Sequence, residues 1–170
     1  RLRFGMAVVG QAAASTIPEI IAHPHSKLTA AADLRQEALD KFSSEFGGRV
    51  YHRVEDLCGD PNVDAVYVAT PHQFHAQHSI MALGQGKHVI LEKPMALNLE
   101  DCDAMIQAAE GHGVQLLVGR GTHGFDLPVL KMREIVRSGE LGRLGMIHSW
   151  LYSDFLYRPR TPEELDTSLG

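Results

Sequence analysis

The 170 residues carry 16 Lys and Arg against 21 Asp and Glu, a formal net charge of −5 at pH 7. That is chain enough for one buried core, and the acidic balance argues against a nucleic-acid clamp or an anionic-membrane binder, both of which need a basic face. No apolar run reaches the roughly 18 residues of a bilayer-crossing helix, and the start Arg1-Leu2-Arg3-Phe4-Gly5-Met6 lacks a secretory pattern. With two cysteines, Cys58 and Cys102, each in helix-like sequence, the expectation is a soluble cytoplasmic protein without membrane or nucleic-acid partners.

In chain order, Leu2 to Val9 predicts a first strand and Gln11 to Ala22 a helix, kinked or restarted at Pro18 because proline has no N–H to donate. Lys27 to Ala32 predicts a strand ending at Asp33, and Gln36 to Phe46 a helix stopped by Gly47-Gly48. Val50 and Tyr51 read as a short strand, Val54 to Cys58 as a brief helix, and Val63 to Ala69 as a central strand apolar on both faces. A helix over His72 to Leu83, a strand over His88 to Leu91, a helix over Leu99 to His112 with Glu100-Asp101 in its first turn, and a strand over Val114 to Val118 follow. The helix Leu127 to Val136 closes at Ser138-Gly139, and Leu144 to Tyr152 reads as a long strand of mixed polarity. This alternation predicts an α/β fold, a Rossmann-type doubly wound and mostly parallel sheet with helices on both faces.

A strand ending in Val8-Val9-Gly10 and running into a helix is where such a fold holds a pyrophosphate, because the helix N-terminus presents unpaired N–H groups and partial positive charge. The Gly-x-Gly-x-x-Gly fingerprint reads here Gly10-Gln11-Ala12-Ala13-Ala14-Ser15, so in this register only its first glycine is present. Ala12 brings a methyl where the backbone would approach the phosphates, and the Ser15 hydroxyl offers a donor. Asp33 ends the second strand about 20 residues on, where an acid accepts ribose hydroxyls. Its carboxylate favours NAD over NADP, while Arg35 leaves NADP open. An Asp that merely caps the next helix is the alternative.

Three further segments, Thr70-Pro71-His72-Gln73-Phe74-His75, then Gly86-Lys87-His88-Val89, then Glu92-Lys93-Pro94, are more distinctive. With Lys131, Ile135, Gly139 and Leu141-Gly142, they resemble the Gfo/Idh/MocA family of NAD(P)-dependent oxidoreductases along nearly the whole chain. Within it, Ala69 to His75 and Asp154-Phe155-Leu156-Tyr157-Arg158-Pro159-Arg160 are similar to dehydrogenases of dihydrodiols such as dihydroxy-dihydrophthalate. Sugar and inositol dehydrogenation are the alternatives within the family. The resemblance implies NAD as cofactor, a small-molecule substrate, and Lys93 as the catalytic lysine, often before a cis proline. It also implies a nucleotide domain over 1–143 and a substrate domain beginning at 144. Only that domain's first strand would fall in these residues; the Asp and His that complete the family's catalytic set, and the surface for homo-oligomerisation, lie in the remainder. On that basis the 170 residues alone turn over little or no substrate.

These readings gather a cofactor surface from Gly10, Gln11, Ala12, Ala13, Asp33, Leu34, Arg35, Thr70, Pro71, His72, His75, Glu92 and Lys93. Thr70, Pro71, Glu92 and Lys93 end adjacent strands at the crevice where open sheets bind ligands. Lysine there can hydrogen-bond a substrate hydroxyl and stabilise developing negative charge, and glutamate can fix a ribose or orient the lysine. A surface ion pair is the plainer reading. The loop Gly119 to Phe125 is one residue longer than the family's form, and His123 is the candidate for its basic residue. Arg158 and Arg160 match a carboxylated substrate through paired hydrogen bonds, or are a solvated pair on a linker. His72, His75 and His78 at three-residue spacing spread over more than one helix face, so no metal is expected. A nucleotide-binding sensor without catalysis is the reading from another class, favoured by the altered glycine loop and opposed by the intact Glu92-Lys93-Pro94.

Overall fold

A computed structural model describes residues 1–119, 127–150 and 152, apart from the side chains of Gln11 and Ala12. Two compact units result, and each is self-contained. The first, residues 1–119, is a six-stranded sheet built from β1 (Leu2–Ala7), β2 (Ser26–Ala32), β3 (Arg49–Tyr51), β4 (Ala65–Val68), β5 (His88–Leu91) and β6 (Leu116–Val118). The strand order is β3-β2-β1-β4-β5-β6, every pair is parallel, and the winding reverses between β1 and β4. The expected doubly wound sheet is therefore present, and wholly parallel. Its connections are α1 (Gln11–Ala22), α2 (Gln36–Phe46), α3 (Val54–Cys58), α4 (His75–Gly84) and α5 (Leu99–His112).

Period-two burial on the strands divides the core into two layers. Phe4, Met6 and Tyr67 pack with Ile17 and Ile20 of α1 and Phe42 of α2. Val66, Val68 and Leu91 pack on the other face with Leu57 of α3, Leu83 of α4 and Met105 of α5. Local chemistry sets the helix ends. Gly47 takes the left-handed conformation at φ 66° and closes α2, its N–H donating to Ser43 O at 2.9 Å. Asn98 opens α5 by accepting the Asp101 N–H at 2.8 Å. At the end of the sheet away from the crevice, the Arg3 guanidinium donates to Asp64 at 2.6 and 2.9 Å and joins β1 to the start of β4.

Three expectations change. α1 runs unbroken through Pro18; burial of Ala13, Ile17 and Ile20 on one stripe offsets the lost hydrogen bond, about 3 kcal/mol for an interior proline. β1 ends at Ala7 rather than Val9, because the backbone turns left-handed at Val8, φ 74°. In the second unit, α6 (Leu127–Ser138) is present as expected, but residues 144–150 form no strand. A strand exists by pairing, and this segment makes no ladder with any described strand.

Candidate functional site

The carboxyl ends of β1, β2, β4 and β5 carry most of the residues singled out above, at the place where the winding reverses. The first is the turn between β1 and α1. A β-branched residue at positive φ is a steric outlier, costing about 1–2 kcal/mol, and Val8 holds that conformation while its N–H donates to Ala32 O at 2.8 Å. Gly10 is the N-cap of α1, and Ala13 is fully buried between helix and sheet. These are the three tasks of the glycine fingerprint: tight turn, close backbone approach, close helix packing. The register is therefore Val8-Val9-Gly10-Gln11-Ala12-Ala13, two residues earlier than the sequence suggests. Gly10 is its middle glycine, while valine and alanine occupy the outer positions. A left-handed valine violates local propensity, so no sequence signal marks this register.

Asp33 directly follows β2, with 4% exposure. Its carboxylate accepts four N–H bonds: from Val9 at 3.0 Å, and from the Arg35 backbone, Nε and Nη2 at 2.9, 3.0 and 2.9 Å. Burial alone would push this carboxyl up, but the Arg35 and Val9 donors together hold it below its ordinary value. The guanidinium, 62% exposed, also reaches Val9 O at 3.3 Å. Beside the pair, Asp33 and the exposed Leu34 share a recess of about 290 Å³ with Thr70, Pro71, Phe74 and His78. Phe74 stacks on His78, centroids 5.6 Å apart, and the His78 Nδ1 lies 3.2 Å from the Thr70 hydroxyl. Burial lowers the His78 pKa. Val8, Phe74 and His78 were not singled out for this recess from sequence; the four-residue spacing of Phe74 and His78 was the available signal.

His72 is exposed, with its ring centroid 5.4 Å from that of His75. His75 faces inward at 1% exposure, its ring nitrogens 2.7 Å from Pro94 O and 2.8 Å from Thr70 O. Both partners are acceptors and a neutral imidazole carries one N–H, so the ring donates to one of these two carbonyls while its other nitrogen lies against the second. Glu92 follows β5, half-buried, with Oε1 2.5 Å from the Tyr67 hydroxyl and Oε2 accepting the Lys93 N–H at 3.2 Å. The Lys93 side chain is exposed, and the Lys93–Pro94 peptide is cis. His123, Arg158 and Arg160 lie outside the described residues.

Residues 2–120 match the model of the oxidoreductase family with an NAD-binding Rossmann fold, Gfo/Idh/MocA. The chain belongs to that family. It is 44% identical, over 99% of its length and 43% of the relative's, to 1-carboxy-3-chloro-3,4-dihydroxycyclohexa-1,5-diene dehydrogenase of Comamonas testosteroni. Among solved structures, a protein of Bordetella bronchiseptica RB50 superposes with a TM-score of 0.91 at 41% identity, covering 100% of this chain and 45% of that one. The WlbA dehydrogenase of Bordetella pertussis, in complex with NADH and UDP-GlcNAcA, superposes with a TM-score of 0.78 at 29% identity over 84% of this chain and 41% of that one. The chain thus spans less than half the length of these relatives.

The turn after β1 fits the dinucleotide. α1 has neither a side-chain cap nor an acidic residue in its first turn, whereas α5 has Asn98, Glu100 and Asp101. The positive end of the α1 dipole is therefore left for an external anion. Among the described residues, a methyl built on Gly10 would meet nothing nearer than Val8 Cγ1 at 3.8 Å, which leaves room above that backbone for a phosphate.

Proposed function

We propose that this chain is the cofactor-binding part of an NAD-dependent dehydrogenase that removes hydride from a hydroxyl-bearing ring carbon of a carboxylated dihydrodiol. The observation that carries the reading is Glu92-Lys93 at the end of β5, on the same edge of the sheet as the open N-terminus of α1 and the Asp33 recess. The backbone of Gly10 to Ala13 would hold the pyrophosphate, Asp33 the adenosine ribose once the Arg35 guanidinium has swung off it, and Leu34, Thr70, Pro71 and Phe74 the adenine. His72 stands at the rim, and His75 braces the loops from behind. The Comamonas relative, named for a carboxylated dihydroxycyclohexadiene, supports the substrate class.

Bound NAD supplies the hydride acceptor. Lys93 does the work on the substrate oxygen: its ammonium donates a hydrogen bond to the reacting hydroxyl and stabilises negative charge as the proton leaves for a base on the second domain. Glu92 fixes the backbone from which Lys93 extends. The product tautomerises to a catechol, so aromaticity drives the reaction forward. His123 belongs beside the substrate in this reading, and Arg158 and Arg160 pair with its carboxylates. The domain boundary falls at 143/144, and the second domain carries the oligomer contacts. Among the described residues no helix is long and apolar enough to cross a membrane, and Cys58 and Cys102 are free thiols, which suits a reducing cytoplasm.

Val8 and Ala13 at the outer glycine positions favour a second reading, a module that binds NAD without turning anything over. One experiment separates them. NAD binding is measured on this chain by calorimetry, and NADH formation on a chain with the second domain, offered a carboxylated dihydrodiol, an uncarboxylated one and an inositol. Oxidation favouring the carboxylated diol, with kcat lost in Lys93→Ala and NAD binding kept, is the expected result. Binding without turnover on any of the three establishes the sensor reading, and turnover of inositol alone moves the substrate to the sugar side of the family.

A further inference from the structure

Tyr67 is the only side chain of β4 with a polar group. Its ring packs with Met6, Ala13 and Ile17 at 3% exposure, a place phenylalanine would fill equally well. The hydroxyl is what distinguishes it, and that hydroxyl is doubly engaged. Thr16 Oγ1 of α1 donates to it at 3.0 Å, and it donates to Glu92 Oε1 at 2.5 Å. The other oxygen of Glu92 accepts the Lys93 N–H. A line of hydrogen bonds therefore runs from α1 through the middle of the sheet to the Glu92 carboxylate, which also receives the N–H of the peptide that launches Lys93.

We propose that Tyr67 is a positioning residue: its phenol pins the Glu92 carboxylate against the Lys93 amide and so aims the Lys93 side chain at the substrate oxygen. The proposal rests on the role given to Lys93 above. Burial and the Glu92 carboxylate raise the phenol pKa, so it stays a donor through the neutral range. Without the hydroxyl, Glu92 is held on one side only. Half-buried, it can then turn its free oxygen to water, and the Lys93 peptide loses its fixed partner.

The test uses Tyr67→Phe, Glu92→Ala and the double variant, with two readouts. In ¹⁵N NMR of this chain, Tyr67→Phe shifts the Lys93 amide resonance and speeds its hydrogen exchange about 10-fold, the loss of a hydrogen bond to a charged group. In the Glu92→Ala background, where the acceptor is gone, it changes neither. In the chain with the second domain, Tyr67→Phe lowers kcat about 10-fold with the KM for NAD held within about twofold, and the double variant is no slower than Glu92→Ala. An unmoved Lys93 amide, or losses that multiply in the double variant, overturns the proposal. If Tyr67→Phe does not fold, Thr16→Val removes the donor to the phenol while leaving β4 intact. It shifts the Lys93 amide the same way by less, and no shift overturns the proposal. A wild type without turnover refutes the dehydrogenase reading, while the Lys93 amide shifts still decide whether Tyr67 holds Glu92.

Discussion

Arg35→Ala separates the two cofactors. A carboxylate offers about four lone-pair sites, and four N–H donors occupy those of Asp33, two of them from the Arg35 side chain. In the proposed cofactor pose, ribose hydroxyls would reach Asp33 only after the guanidinium had swung aside. With Arg35 62% exposed, that ion pair is worth at most about 1 kcal/mol, the exposed-pair range rather than the buried one. Arg35→Ala frees two sites, and NAD is expected to bind up to about fivefold tighter, the equivalent of that 1 kcal/mol. NADP fares the other way. Its 2′-phosphate would draw the guanidinium off Asp33 in the wild type, and in the variant would lose that partner and face the bare carboxylate. A charge-assisted contact of about 1.5–3 kcal/mol goes with it, weakening NADP about 10- to 100-fold. Calorimetric titration of each nucleotide into wild type and variant, at one salt concentration, reads both numbers. Equal losses for NAD and NADP, or no change in either, would refute the account of Arg35 as a gate on Asp33.

Three further outcomes follow from the frame around the site. The Arg3 hydrogen bonds, with smaller backbone and charge contributions, hold Asp64 down to about 2 from an ordinary 3.8. A depressed carboxylate stabilises above its unfolded pKa and loses that stability as pH falls through the folded one. Arg3→Ala therefore melts lower than wild type at pH 6, and the gap closes as pH falls from 3.8 to about 2; a gap constant with pH in thermal melts would exclude the linkage. A methyl on Gly48 lands 2.9 Å from the Thr29 carbonyl oxygen and 2.7 Å from Phe42 Cε1, whereas on Gly5 it meets the Leu57 tip at 2.9 Å. Urea denaturation should find Gly48→Ala about 1–3 kcal/mol less stable than wild type and Gly5→Ala less affected, because a leucine tip can yield where a backbone carbonyl cannot. Asn98→Ala removes the α5 cap and costs about 1 kcal/mol by the same assay; an unchanged midpoint would mean the cap is replaced from elsewhere.

What the sequence made legible was local. α2, α5 and β5 have the bounds their own residues dictate, because Gly47, Asn98 and the apolar run His88 to Leu91 act over one turn or one strand. The Thr70 and Glu92 segments were placed at the crevice because strand ends are fixed by strand lengths. Val8 was not legible, since a tertiary frame holds it where its own sterics point elsewhere. Nor was the fork of Arg35 on Asp33, or the inward turn of His75, because side-chain pairing depends on geometry that residue type does not specify. Pro18 does not restart α1 for a similar reason: a buried stripe outweighs one missing donor.

The His75 ring, spanning the Thr70 and Pro94 carbonyls, has a mechanical consequence. It sits as a cross-pin between two neighbouring jaws, one lining the recess beside Asp33 and the other carrying Lys93. A ligand seated against Thr70 and Pro71 would bear on the Lys93 loop, on the next strand over, through this ring.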